Sequence, residues 1–335
     1  MLEAIVRERA ARTLAERVFP GCVVGIIKRT GERLVLPFGA SLYGAGGEKV
    51  REDTIYDVAS VTKSIPTASL ALMLVAEGKL SLSDAVKRYV PELRNEYGAT
   101  VEDLLRYRVR GLRMSELKDE PAEEIERQVL ARGFDGPPGE PSYTNAPAFL
   151  LGLVVERAGG NTLDALARDR LFSTLGMDST TFFPPDAAPT EIGADGKDVR
   201  GIVHDESARV FARVGRAVGH AGLFSNAPDL LNFLEALLQI YRPTRSIVGG
   251  AEYGLGWAVN EPFFMGKHAT GVACFGKTGF TGCSVVCDAE RGIGLVILSN
   301  RTYPKRTPDA FSPDSAINVF RRDVADIVWK YEGIT

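Results

Sequence analysis

Ser60-Val61-Thr62-Lys63 sets a hydroxyl and an amine three residues apart. On a helical turn that spacing brings both to one face, within reach of each other. The strand-like Thr54-Ile55-Tyr56-Asp57-Val58 runs into it, so Ser60 is expected near a helix start, where free N–H groups favour developing negative charge. A second group, Tyr143-Thr144-Asn145, follows the stiff loop Pro137-Pro138-Gly139-Glu140-Pro141. A tyrosine serves as a general base only if its phenol pKa, near 10, comes down by about three units, or about 4 kcal/mol. An ammonium at roughly 4 Å supplies about 4 kcal/mol at an effective dielectric of 20, so two flanking lysines suffice. The third group is Lys277-Thr278-Gly279, read as the head of a strand that continues through Phe280-Thr281-Gly282. Its glycines would let a substrate lie along the strand edge, with a main-chain N–H just past Gly279 aimed at an oxyanion. Singly, each group also fits something plainer: a capping serine beside a solvated lysine, a core tyrosine, an exposed turn. Their joint presence carries the weight.

The elements that must position these groups follow from periodicity. Leu2, Ile5, Val6, Ala10 and Leu14 form one helical stripe over 2–17. Gly21–Lys28 and Arg33–Phe38 read as strands joined at Arg29-Thr30-Gly31-Glu32. Pro66–Glu77 is apolar nearly all round, as a central buried helix is, with Pro66 in its first turn and Gly78 at its end. Helices are expected after a cap at Ser83, over 101–107, 121–132, 146–158 and about 162–171, and from Pro228 to Tyr241. The stretch 183–201 reads as loop. Strand patterns return at 254–259, 271–275, 283–288 and 293–298. A last helix carries Ile317, Phe320, Val324, Ile327, Val328 and Tyr331 on one side. This order implies an α/β fold: a mixed sheet layered with terminal helices, and an all-helical insertion. The α/β part takes residues 1–60 and 190–335, and the helical part 61–189.

Composition narrows the function classes. With 335 residues, 45% apolar and 25% charged, the chain has the balance of a globular protein. A formal net charge of −3, with both signs dispersed, offers no surface for nucleic acid. Three histidines without metal spacing make metal chemistry unexpected, and no cofactor is implied. The longest apolar run, around Leu70–Val75, is far short of the roughly 20 residues of a membrane span. The first residues alternate charge with apolar side chains, unlike a secretory leader. A cytoplasmic address is therefore expected if Met1 is the native start, and a periplasmic or extracellular one if a leader has been removed. Cys22, Cys274, Cys283 and Cys287 are expected as buried free thiols.

The SxxK, YxN and KTG groups, in this order, resemble those of the serine β-lactamase and penicillin-binding-protein superfamily, closest to its class C branch. Asp57-Val58-Ala59, Glu77 to Asp84, Gly219 to Ser225, Tyr253 to Trp257 and Leu298 to Pro304 extend the resemblance. It implies an inserted helical domain with the site between it and an α/β sandwich whose sheet is mainly antiparallel. It also implies an acyl-enzyme mechanism. Ser60 would attack, with Lys63 and Tyr143 handling its proton. The N–H groups of Ser60 and Phe280 would form the oxyanion hole, and Asn145 would bind the substrate amide. Lys277 and Thr278 would hold developing charge or a substrate carboxylate beside Gly279. The substrate would be a small molecule or peptide, of the β-lactam or D-Ala-D-Ala type, and the protein a monomer. A carboxylesterase and a slowly deacylating sensor are the alternatives on the same fold. Two segments depart from the family. Arg106 to Arg113 replaces a Thr/His-Thr-Ser/Ala-Gly-Leu stretch, and is read as a solvated face in preference to an acid-selecting one. Thr302 and Lys305 replace asparagines that contact the drug in class C β-lactamases. His204, Asp205 and His220 invite a Ser-His-Asp triad, but no GxSxG elbow accompanies them.

Overall fold

Strands from both ends of the chain meet in one sheet. The computed structural model describes residues 1–240, 254–269, 271–307 and 312–332. Helix α1 (Leu2–Ala15) leads into the hairpin of β1 (Gly21–Lys28) and β2 (Arg33–Gly39), which turns at Gly31 with φ +87°. Short pieces follow: β3 (Tyr56–Asp57), then a 3-10 turn at Ala59–Lys63 and α2 (Ser69–Ala76). The helical middle comprises α3 (Val86–Tyr89), α4 (Val101–Leu105), α5 (Ala122–Arg132), α6 (Ala146–Gly159), α7 (Leu163–Ala167) and α8 (Ser173–Leu175). The two-residue pair β4 (Glu191–Ile192) and β5 (Asp198–Val199) precedes α9 (Glu206–Arg213), β6 (Phe224–Ser225) and α10 (Ala227–Ile240). Then come β7 (Ala258–Val259), α11 (Pro262–Met265), β8 (Cys274–Thr278), β9 (Ser284–Asp288), β10 (Ile293–Ser299) and α12 (Ala316–Glu332).

The main sheet has the order β2-β1-β10-β9-β8-β7, and each of these neighbours is antiparallel. Side chains alternate across a strand, so β1 sorts its residues to two layers. Cys22, Val24 and Ile26 join Val6 and Ala10 of α1 and Phe320, Val324 and Val328 of α12. Val23 and Ile27 join Leu231 and Leu234 of α10. A strand covered on both faces needs apolar residues at every position, which is why Gly21–Lys28 shows no polar alternation. Glycine lets α10 come close: a Cβ at Gly25 would lie 3.1 Å from Leu231, and one at Gly294 3.0 Å from Leu234.

Several elements differ from the sequence expectation. The buried helix opens at Ser69, because the wide turn Ser64–Ala68 holds Ile65 at φ −120°, ψ 109°. A residue before proline is driven out of the α region. The 18 residues Ala59–Ala76 have a mean hydropathy of 1.3, yet 67% of that stretch is buried inside the protein. Ser83 caps no helix: α3 starts from Ala85, while Asp84 accepts the N–H of Ser81 and the hydroxyl of Tyr89. The 183–201 segment contains the β4–β5 pair, and α9, capped by Asp205, was not foreseen. Only Ala258–Val259 of the expected 254–259 strand pairs. The next strand begins at Cys274, after a 3-10 turn at Gly271–Ala273, so Lys277 and Thr278 end β8 rather than head a strand. Tyr241 and Tyr253 lie outside the described residues. The four cysteines are free and buried.

Candidate active site

The nucleophile candidate is fixed by hydrogen bonds that precede it in sequence. The Asp57 carboxylate accepts the N–H of Ala59 and of His204, each at 2.7 Å. Burial pushes the Asp57 carboxyl up to about 6 even though both N–H bonds pull it down. Ala59 sits at φ +47°, and Thr62 Oγ1 donates to its carbonyl at 2.6 Å. In the 3-10 turn that follows, positions i and i+3 eclipse. Ser60 therefore lies beneath Lys63, whose Nζ donates to Ser60 Oγ at 2.9 Å and to the His220 carbonyl at 2.7 Å. Lys63 is 1% exposed, while Ser60 reaches solvent.

Three aromatic and cationic groups stand over this pair. Tyr143, on the rim just ahead of α6 and 42% exposed, has Lys63 Nζ 5.2 Å and Lys277 Nζ 4.7 Å from its ring centre. Lys277 Nζ donates to the Tyr107 hydroxyl at 3.0 Å, and the Tyr107 and Tyr143 rings are 5.3 Å apart. Burial first, then the charge of Lys63, hold the Lys277 ammonium well below the ordinary lysine range. Tyr107 was not singled out from the sequence. It is a buried non-glycine residue at φ +55°, a strained backbone of the kind kept where structure over-determines it. Among the sequence signals, only its place between arginines marked it.

The turn after β8 closes the site. Gly279 N–H donates to the Cys283 carbonyl at 2.7 Å, and Gly282 N–H to the Gly279 carbonyl at 3.1 Å. A Cβ at Gly279 would fall 2.3 Å from the Val58 carbonyl, so glycine is what lets this turn lie against the nucleophile segment. The Phe280 ring stacks on His204 at 5.7 Å and lies under the guanidinium groups of Arg301 and Arg306, 4.8 and 4.3 Å from its centre. Burial lowers His204 to about 4, so the stacked ring is neutral at pH 7.

These elements enclose a cavity of about 230 Å³ lined by Ser60, Tyr143, Lys277, Thr278, Gly279 and Phe280. The cavity continues to an apolar wall of Ala258, Phe263 and Phe264, and to Arg301, Asn318 and Arg321. Asn145 is not in this lining: its Nδ2 donates to Asp205 Oδ2 at 3.3 Å. Asp205 also faces His220 Nε2 at 3.4 Å, and Ser207 Oγ lies 3.0 Å from the same nitrogen. Burial drives the Asp205 carboxyl up, but the His220 contact and a backbone N–H outweigh it and hold it well below the carboxylate range. Ser207 and His220 are fully buried, so this trio braces the Lys63 acceptor and does not form a reactive triad open to substrate.

The arginines near the site are not those of the 106–113 segment. Arg108 and Arg113 pair with Asp103 and Glu116 outside the cavity, Arg110 is exposed, and Arg106 is 7% exposed and held by Glu102. The solvated-face reading thus fails at Arg106, whose stem is packed beside α4. Thr302 is fully buried, and neither it nor Lys305 lines the cavity. Among the described residues, no group of three or more His, Cys, Asp or Glu is arranged to hold a metal.

Solved structures share this architecture. A beta-lactamase/D-alanine carboxypeptidase from Pseudomonas syringae superposes with a TM-score of 0.74 at 22% identity, covering 96% of this chain and 98% of its own. EstCE1, a hydrolase with promiscuous acyltransferase activity, does so at 0.77 and 19%, covering 97% and 98%. The fold is therefore that of the β-lactamase and transpeptidase-like serine enzymes. The profile of the family described as Beta-lactamase matches residues 2–314, and the chain belongs to that family of serine hydrolases. An Escherichia coli (strain K12) protein provisionally named a D-alanyl-D-alanine carboxypeptidase is 28% identical over 325 residues, 78% of this chain and 74% of that one.

Proposed function

We propose that the protein forms an acyl-enzyme on Ser60 and acts on carboxylate-bearing amides of the β-lactam or D-Ala-D-Ala type. The observation that carries this reading is the 2.9 Å contact between Ser60 Oγ and the buried Lys63, at the foot of a cavity that Lys277 and Tyr143 also line. Ser60 Oγ attacks the substrate carbonyl carbon, and its proton passes to the Lys63–Tyr143 pair. The carbonyl oxygen gains the charge and is met by the N–H groups of Ser60 and Phe280. The C–N bond breaks as the amine leaving group takes the proton. Water then repeats the attack on the ester and frees Ser60. Lys277 and Thr278 hold the substrate carboxylate beside Gly279, and Asn145 approaches the substrate amide once it releases Asp205. In this reading the chain divides into 1–60 with 190–335 and the helical 61–189. Tyr143 comes to the cavity from the helical part, and Ser60, Lys277, Phe280 and Arg301 from the other, which supports that division.

One feature favours the carboxylesterase as a second reading: the Ala258, Phe263 and Phe264 wall would accept an apolar acyl or alcohol group as readily as a peptide. Incubation with nitrocefin, a p-nitrophenyl ester and a D-Ala-D-Ala peptide, following turnover and intact mass together, separates the two. The expected result is turnover of a carboxylate-bearing amide through an adduct on Ser60 that Ser60→Ala abolishes. An adduct on another residue would sink the nucleophile assignment. Turnover of the ester alone would give the lead to the esterase.

A further inference from the structure

Arg321, one turn into α12, lies far in sequence from the three motifs, yet it holds the turn that follows Lys277. Its Nη2 donates to the Gly279 carbonyl at 3.0 Å and to the Cys283 carbonyl at 2.7 Å. Its Nη1 donates to Asn318 Oδ1 at 2.7 Å, which fixes the plane of the guanidinium. The side chain is 4% exposed and lines the wall of the cavity. Among the described residues no carboxylate pairs with it, and its Nε has no hydrogen-bond partner. The protein thus keeps a buried cation at a place where its charge is left uncompensated, a costly arrangement unless that charge is used.

The Gly279 carbonyl belongs to the same peptide unit as the Phe280 N–H. A charge-assisted hydrogen bond to the oxygen of a peptide draws electron density from its nitrogen, so the N–H becomes a stronger donor. The same bond, with the one to Cys283, pins both ends of the turn and so fixes where that N–H points. We propose that Arg321 is a positioning residue of acyl transfer, which orients and polarises the Phe280 peptide as an oxyanion donor. Arg301 supports the other side of the turn, its Nε donating to the Phe280 carbonyl at 2.8 Å and its backbone N–H to the Thr281 carbonyl at 2.9 Å. The inference rests on the Ser60 and Phe280 reading above.

The test compares Arg321→Gln with wild type, using p-nitrophenyl acetate turnover and the affinity of phenylboronic acid, whose serine adduct places a tetrahedral oxygen where the oxyanion forms. Loss of a whole oxyanion donor costs about 10²–10³ in kcat, and loss of its polarising partner should cost less, about 10- to 100-fold. KM should stay within about threefold, and the boronate should weaken by the same factor as kcat, because both report the tetrahedral state. A folded Arg321→Gln with undiminished kcat overturns the proposal. So does a fall in kcat with boronate affinity unchanged, which a merely structural role would give. Should Arg321→Gln not fold, Asn318→Ala leaves the guanidinium in place and removes the acceptor that orients it, together with the Asn318 Nδ2 bond to the Ser312 carbonyl at 2.9 Å. It should lower kcat and boronate affinity together by about 3- to 10-fold, and unchanged values for both overturn the proposal. Wild-type protein that takes no boronate on Ser60 would instead remove the acyl-enzyme reading on which this one stands.

Discussion

Lys277 is held between two opposing demands. A cation is wanted beside a substrate carboxylate, but burial and the nearby Lys63 ammonium both weaken its hold on its proton. The Tyr107 hydroxyl at 3.0 Å gives the ammonium one acceptor, and among the described residues no carboxylate pairs with it. Lys277→Ala should lower all turnover, since the ammonium also lies 4.7 Å from the Tyr143 ring. Carboxylate-bearing substrates should lose a further 1.5–3 kcal/mol, roughly the range for a charged hydrogen bond, or about 10- to 150-fold in kcat/KM. The pH profile has a definite sign. Because the folded-state pKa is depressed, the charge disappears as pH rises through a value well below that of a free lysine. For a carboxylate substrate the alkaline fall of kcat/KM should therefore begin earlier than for a p-nitrophenyl ester and should vanish in Lys277→Ala. Identical alkaline limbs for both substrates would leave Lys277 serving Tyr143 alone.

At the scale of elements, the site depends on how closely the end of β8 lies against the turn that carries Ser60. Gly279 permits that approach, since a Cβ there would sit 2.3 Å from the Val58 carbonyl and 3.4 Å from Ala59 Cβ. Gly279→Ala must move one of the two segments. Overpacking of this kind costs about 1–3 kcal/mol in stability, but a displacement near 1 Å between reacting groups costs about 100-fold in rate. The variant should keep its cooperative melt, lowered by a few degrees, and lose about 100-fold in kcat; wild-type kcat would show that the close packing is incidental. The motif spacings made the contents of this site legible in the sequence, because Ser60 with Lys63 and Lys277 through Gly279 are local patterns. Their setting was less legible. The sequence pattern puts Lys277 at the start of a strand, since Gly276 and Gly279 interrupt the β pattern, whereas the strand begins at Cys274. Tyr107 and Arg321 reach the site from a strained turn and from the far helix. No local periodicity distinguishes Arg321 from an ordinary polar helix position.

Across the whole molecule, the same tertiary contacts that made α9 and the short strands hard to foresee tie the two ends of the sequence to its middle. The sheet was legible because β1 and β10 are nearly continuous apolar runs, covered on both faces by helices whose stripes are equally plain. Asp57 has no such pattern, yet it joins the segment before Ser60 to His204, and its carbonyl accepts the Thr281 hydroxyl at 2.6 Å. Its carboxyl, ordinarily near 3.8, is raised to about 6 by burial. A raised carboxylate pKa means that the folded protein binds the proton more tightly than the unfolded chain does. Its stabilising contribution is then full below about pH 4 and lost as pH rises through about 6. A shift of about two units corresponds to about 3 kcal/mol over that window. Asp57→Asn cannot titrate, so the difference in unfolding free energy between wild type and variant should change by about that amount between pH 4 and 7. The variant should also be less stable at pH 4, because the Asn amide cannot accept both N–H groups and leaves a buried donor unpaired, at about 1–3 kcal/mol. Urea melts of both proteins across this range measure the difference directly. Parallel pH curves would show that Asp57 titrates as an ordinary carboxylate and that the groups around it, rather than burial, set its charge.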